Sequence, residues 1–337
     1  MHSNRKRSRF GLSVLALVLG AFGFSAQKES EKFRGVKSVD DLFIKEAEIR
    51  LETTAGSYLG LITDMEVDSK DNFLVADGWQ RRQIFIFDSN GKYLGGLGAR
   101  GQGPGEYQTP VSLAISRRGE IWVLDYLQSR IGIWDRDYRF LRFLICKPRL
   151  NHYIHLNGND EIFLYTPNSA SPAHPVSAPS IRKFDDQGRQ VLEFAPSPKE
   201  TLDLKFWISQ DGMTIDPAGF IYEMNPLYYQ IRKFDSAGVL IKTFSRKTPI
   251  FRLEKKEGVP PILTNGPFFL GKGVLVAQVG EYLEIYDPDG RLIAGELKFA
   301  PKIMAAKGSV FYAQREAEED KAGAGDNPVL LKYRLRD

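Results

Sequence analysis

The stretch Ile84-Phe85-Ile86-Phe87-Asp88 sets a pattern that the rest of the chain repeats: an aliphatic residue, two variable positions, an aromatic, then Asp. It returns as Ile131-Gly132-Ile133-Trp134-Asp135, Ile181-Arg182-Lys183-Phe184-Asp185 and Ile231-Arg232-Lys233-Phe234-Asp235. The last two copies are Leu283-Glu284-Ile285-Tyr286-Asp287 and Leu330-Leu331-Lys332-Tyr333-Arg334. The aromatics lie 47, 50, 50, 52 and 47 residues apart. A constant period of this length marks one supersecondary unit per repeat. Five of the six copies run into a turn at Gly91, Asp137, Gly188, Gly238 or Gly290.

Upstream of each anchor lies a second run, at 73–76, 121–124, 162–165, 221–224, 274–277 and 310–313. These are β-branched and aromatic stretches bounded by Gly, Asp and Asn, as strands are. No part of the chain after residue 27 carries a long helical period with caps. Each unit therefore holds about four short strands in roughly 49 residues, the size of a propeller blade. The expected fold is all-β: a six-bladed β-propeller of four-stranded antiparallel blades over residues 43–337. The sixth copy reaches Asp337 with no room for a fourth strand, so Ala47-Glu48-Ile49-Arg50-Leu51 is expected to supply it and close the ring. Near-continuous apolar strands suit sheets covered on both faces.

The run Gly98-Ala99-Arg100-Gly101-Gln102-Gly103-Pro104-Gly105-Glu106-Tyr107, followed by Pro110, Gly119, Asp125, Arg130 and Ile131, resembles the blade-to-blade linker and following blade of NHL-repeat six-bladed propellers. The full linker occurs once, and the third, fifth and sixth units are degenerate. The resemblance implies the fold over nearly the whole chain after the leader and says little of activity, since the family includes enzymes and pure binding scaffolds. The same glycines do not form a phosphate loop: no Lys-Ser/Thr follows them and no helix pattern begins there.

The chain carries 46 Lys and Arg against 42 Asp and Glu. Four bases, Arg5, Lys6, Arg7 and Arg9, precede an uncharged stretch from Phe10 to Gln27 with small residues at Gly23, Ser25 and Ala26. This order is that of a secretory signal, expected over 1–26, with a linker over 27–42. Without those four bases the signs balance, which argues against a nucleic-acid partner. The expected location is outside the cytoplasm, in a bacterial periplasm or extracellular, with membrane attachment only if the leader stays uncleaved. The single cysteine, Cys146, excludes an intramolecular disulfide and reads as a buried, inert thiol.

At the end of each second strand stands a polar residue: Asp77, Asp125, Thr166, Asn225, Gln278 and Gln314. Each is expected to tie down the loop that follows. Arg82 and Arg130, five residues after Asp77 and Asp125, read as their ion-pair partners. Period-two alternation on the innermost strands puts Asp64, Glu66, Tyr153, His155 and Thr214 on the channel side. Asp64, Glu66 and His155 form a candidate divalent-metal set, while a lactonase-type site of carboxylates and an amide would draw on Asp64, Glu66 and Asn265; no other cofactor is expected. Propeller lyases of the histidine-dependent kind resemble this fold but draw histidines from several blades. Here His152, His155 and His174 all belong to the third.

The intervals between the second and third strands hold 6, 5, 14, 5, 4 and 15 residues. The long ones, Pro167–Ser180 and Arg315–Val329, face each other across a six-fold ring. The first carries four prolines and reads as a stiff, neutral wall; the second is acidic, shares its end of the ring with a basic linker at 246–257, and is expected to act as a mobile flap. Trp79, Arg81, Tyr126, Tyr228 and Tyr229 come from the short loops of the same end and are of types favoured at binding surfaces. The leading functional expectation is a recognition scaffold for a protein, peptide or glycan. The alternative is a metal-dependent hydrolase of lactonase type using the channel carboxylates.

Overall fold

Six four-stranded antiparallel sheets follow one another around a central channel in the computed structural model, which describes residues 35–54, 56–147, 151–167, 179–196, 210–251, 263–315 and 327–337. The innermost strands are Asp64–Val67, Pro110–Ile115, Tyr153–Leu156, Met213–Ile215, Thr264–Leu270 and Lys302–Lys307. In blades one to five the chain then steps outward through three more strands in sequence order. We call the four strands of each blade a to d, from the channel outward. Blade six takes its outer strand from the start of the propeller: Phe43–Arg50 pairs with Val329–Leu335, Phe43 opposite Leu335 and Arg50 opposite Val329. Ring closure therefore occurs as the sequence implies.

The anchor aspartate explains itself locally. Asp88 Oδ1 accepts the N–H groups of Asn90 and Lys92, each at 2.9 Å, and so closes the c–d turn. Asp135, Asp185, Asp235 and Asp287 do the same two and four residues onward. Blade six has Arg334 at this position, where its outer strand comes from Phe43–Arg50 and no c–d turn is made. Gly188 shows why the turn wants glycine. It has φ +76°, and a Cβ would meet the Ile145 carbonyl oxygen of the preceding blade at 2.2 Å. In blade two the left-handed residue is Tyr138 (φ +66°), one place after the expected Asp137. Its hydroxyl donates to Asp68 and accepts from Asn72 Nδ2 of blade one, which holds the strained backbone in place.

The core lies between blades. Phe85 and Phe87 pack toward blade six, while Leu74, Ile84 and Ile86 of the same sheet pack toward Tyr107, Leu113 and Trp134 of blade two. Both faces of each sheet are thus covered. The 27–42 segment is not wholly a linker: Val39–Leu42 forms one helical turn after Ser38, and Val39 and Leu42 are buried with Phe299 and Phe311. Cys146 is buried, and burial pushes its thiol up to about 12. The leader, most of the 167–180 and 315–329 loops and the later part of the 246–257 linker lie outside the described residues.

Candidate functional site

The d–a linkers and b–c loops come together at one end of the ring, and the first residues of the inner strands stand at its mouth. Asp64 opens the inner strand of blade one. Its carboxylate accepts Ser112 Oγ at 2.6 Å and the Leu113 N–H at 2.8 Å from blade two. In blade three His155 Nε2 lies 3.1 Å from Asp211 Oδ1, which precedes the inner strand of blade four. Asn265 of blade five donates through Nδ2 to Gln278 Oε1 at 3.1 Å and to the Ile303 carbonyl at 2.9 Å. Lys302 opens the inner strand of blade six, within electrostatic reach of Asp64 and Asp211.

These groups bias one another's charge. Burial, then the neighbouring Asp211, raises the Asp64 carboxyl to about 6, against the hydrogen bonds it accepts. Burial and then Asp64 push Glu66 up to about 8. Burial opposes charging of His155, but Asp211 and Asp64 outweigh it and the imidazole pKa rises. Crowding by protein lowers that of Lys302, with Asp64 and Asp211 opposing. Channel water tempers all of this: His155 and Asp211 keep 18% and 27% of their side-chain surface exposed. The charge state of each of these groups therefore depends on its neighbours.

Among the described residues no three His, Cys, Asp or Glu side chains gather so as to hold one metal ion. Of the expected set, Asp64 is turned to blade two and His155 to Asp211. Asp211 and Lys302 escaped the sequence reading. Aligning the first residue of every inner strand pairs Lys302 with Asp64, while Asp211 stands two residues ahead of its strand. Tyr153 does not line the channel. It is buried with Phe163, Tyr165 and Met213 between blades three and four, because alternation on a doubly covered sheet chooses between two neighbouring blades rather than between core and channel.

Asp77, Asp125 and Asn225 hold their own b–c loops as expected, whereas Gln278 instead bonds Asn265 and the chain at Pro301 and Ile303. Asp77 accepts N–H groups from Gly60 and Leu61 of the incoming linker, at 2.6 and 3.0 Å, and from Gln80 and Arg81 of its own b–c loop. Asp125 likewise accepts Gln108 N–H at 2.9 Å, Thr109 N–H at 3.0 Å and Gln128 Nε2 at 2.8 Å. Trp79 and Tyr126, both half-buried, meet edge to face at 5.1 Å, and Tyr126 meets His152 at 5.0 Å. An aromatic row so runs across blades one, two and three. Arg81 is exposed, 6.0 Å from the Tyr58 ring. Tyr228 is half-buried in blade four, away from this row. Tyr229 is not a rim residue: it is buried against Phe251 and hydrogen-bonds the Tyr286 hydroxyl, filling the core between blades four and five.

A family model described as a 6-bladed beta-propeller matches residues 32–205, just over half of the chain. No curated protein matches in sequence. Among solved structures, a Bacteroides fragilis protein assigned to export superposes with TM-score 0.63 at 12% identity, over 89% of this chain and 97% of its own. A Bacteroides vulgatus member of the DUF4221 family gives 0.59 at 13%, over 88% and 98%. Virginiamycin B lyase from Staphylococcus aureus, solved with quinupristin, gives 0.53 at 12%, over 85% and 83%. At these identities the likeness is one of fold. Among the described residues no helix is long and apolar enough to cross a membrane.

Proposed function

We propose, from the premise that this chain belongs to the DUF5128 family of 6-bladed beta-propellers, that it is an exported, NHL-like binding module whose loop-bearing end receives a protein, peptide or glycan ligand. One observation carries this reading. Around the Trp79–Tyr126 pair, that end leaves Tyr58, Leu61 and Leu127 exposed at 41%, 48% and 48%, beside Arg81. Large apolar side chains held outward by rigid turns are what recognition surfaces use. The basic leader and the assignment of the Bacteroides fragilis relative to export support the location.

The test is a screen of the purified chain, without its leader, against peptide and glycan arrays. Hits should be lost in the double variant Tyr58→Ala/Leu61→Ser and kept in Arg118→Gln, which alters an exposed turn at the opposite end. Absence of hits, or hits indifferent to the double variant, would remove the loop-end reading. Lactone hydrolysis that depends on an added divalent cation and is lost in Asp64→Asn would favour a hydrolase working through Asp64, Glu66, His155 and Asn265.

A further inference from the structure

We propose that the cleft between blades one and two is an oxyanion subsite, in which Arg82 and Arg100 grip a carboxylate, sulfate or phosphate group of the ligand; this rests on the loop end being the binding face. The cleft has a volume of about 330 Å³ and is lined by Arg82, Arg100, Gly101, Gln108 and Leu127. That is room for one small acidic group with part of its carbon skeleton, at the lower end of the range for ligand sites.

Arg82 reaches the cleft through an insertion. In blade two Arg130 opens its c strand directly opposite Asp125. Its Nε lies 3.7 Å from that carboxylate, Nη1 and Nη2 donate to the Gln102 and Glu106 carbonyls, and its plane covers Phe143 at 3.7 Å. Blade one has one residue more in this loop, so Gln83, not Arg82, stands opposite Asp77. Arg82 is displaced into the left-handed turn position (φ +52°) that Ser129 (φ +50°) fills in blade two. The expected Asp77–Arg82 ion pair is therefore not made, and Asp77 serves backbone N–H groups instead.

Among the described residues the guanidinium groups of Arg82 and Arg100 have no hydrogen-bond or ion-pair partner, nor has the Gln108 carboxamide. The nearby acids are spent elsewhere: Asp125 as described, and Glu106 on the Gly103 N–H at 2.7 Å. The floor is built in advance. Gly101 is held by its N–H to the Tyr107 carbonyl at 2.9 Å and by Gln128 Nε2 on its own carbonyl at 3.1 Å. A Cβ at Gly101 would strike Glu106 Oε2 at 2.1 Å. Two planar forks with parallel N–H donors match the oxygens of an oxyanion, and the exposed Leu127 offers its carbon skeleton an apolar wall.

The experiment titrates the chain with sodium acetate, sulfate and phosphate at constant ionic strength, reading arginine Nε–H resonances by NMR and binding by calorimetry. Saturable shifts at Arg82 and Arg100 are expected with at least one anion. Arg82→Gln and Arg100→Gln should each weaken binding at least about tenfold, a loss readily resolved in Kd, while Arg118→Gln retains it. Response to acetate alone identifies a carboxylate ligand; response to sulfate or phosphate identifies an ester. No saturable shift in the unaltered protein, or undiminished binding in both arginine variants, overturns the subsite. The wild-type resonances decide the matter even if a variant misfolds. These probes need no macromolecular ligand, so this test and the array screen fail independently.

Discussion

Replacing Phe43 by alanine tests whether the closing strand holds the ring as one cooperative unit. Phe43 is fully buried, begins the strand Phe43–Arg50 and meets Phe311 edge-on at 5.0 Å. It packs among Leu270, Leu297, Phe299 and Leu335, contributed by blades five and six. A buried phenylalanine removes on the order of 200 Å² from water, and Phe→Ala changes in cores cost about 3–5 kcal/mol. With an unfolding entropy of about 2.1 cal/mol/K per residue over roughly 300 residues, each kcal/mol shifts the melting temperature by roughly 1.6 °C, so it should fall by roughly 5–8 °C. Urea unfolding is to be followed by far-ultraviolet circular dichroism and by tryptophan emission. Trp79, Trp122 and Trp134 lie in blades one and two, outside the cluster that surrounds Phe43, and the fourth tryptophan, Trp207, which lies outside the described residues, is replaced by phenylalanine in both proteins compared. Closure as a single lock requires both signals to move together. A loss under about 1 kcal/mol, or tryptophan emission that keeps its midpoint while dichroism shifts, would show that the last blade frays alone and would refute the reasoning.

Burial raises Glu66 to about 8, so the folded state keeps a proton that the unfolded chain releases near its ordinary carboxylate range. Where the folded state binds more protons, stability falls as pH rises; the melting temperature should therefore decline from about pH 5 to about pH 8, and Glu66→Gln should flatten that decline. An identical pH profile in the variant would sink the assignment. Asp125→Ala strips acceptors from Gln108, Thr109 and Arg130 at once and should cost about 3–5 kcal/mol, with Asp125→Asn milder; equal, small losses in urea titrations of both would contradict the staple.

The blade rhythm was legible because its signals are local and repeated. An aliphatic–aromatic strand followed by a turn-closing aspartate satisfies itself within a few residues, and the missing fourth strand of the last copy pointed to Ala47–Leu51. What escaped depends on neighbours distant in sequence. The orientation of Tyr153 follows from blade four packing on blade three, and the burial of Tyr229 from Tyr286 two strands into the next blade. Arg82 was misassigned for a register reason: equal spacing from an aspartate does not give equal position when one loop is a residue longer. Asp211 lies outside any strand, where period-two reasoning has no purchase.

The join between Phe43–Arg50 and Val329–Leu335 also sets a timetable. The first of these strands precedes all six inner strands in the chain and its partner follows them, so no segment lacking either can complete the circle. Blades formed before Val329–Leu335 is made wait with an open seam. Losing either strand leaves the other blades in a ring with a gap, so two segments about 280 residues apart act as one fastening.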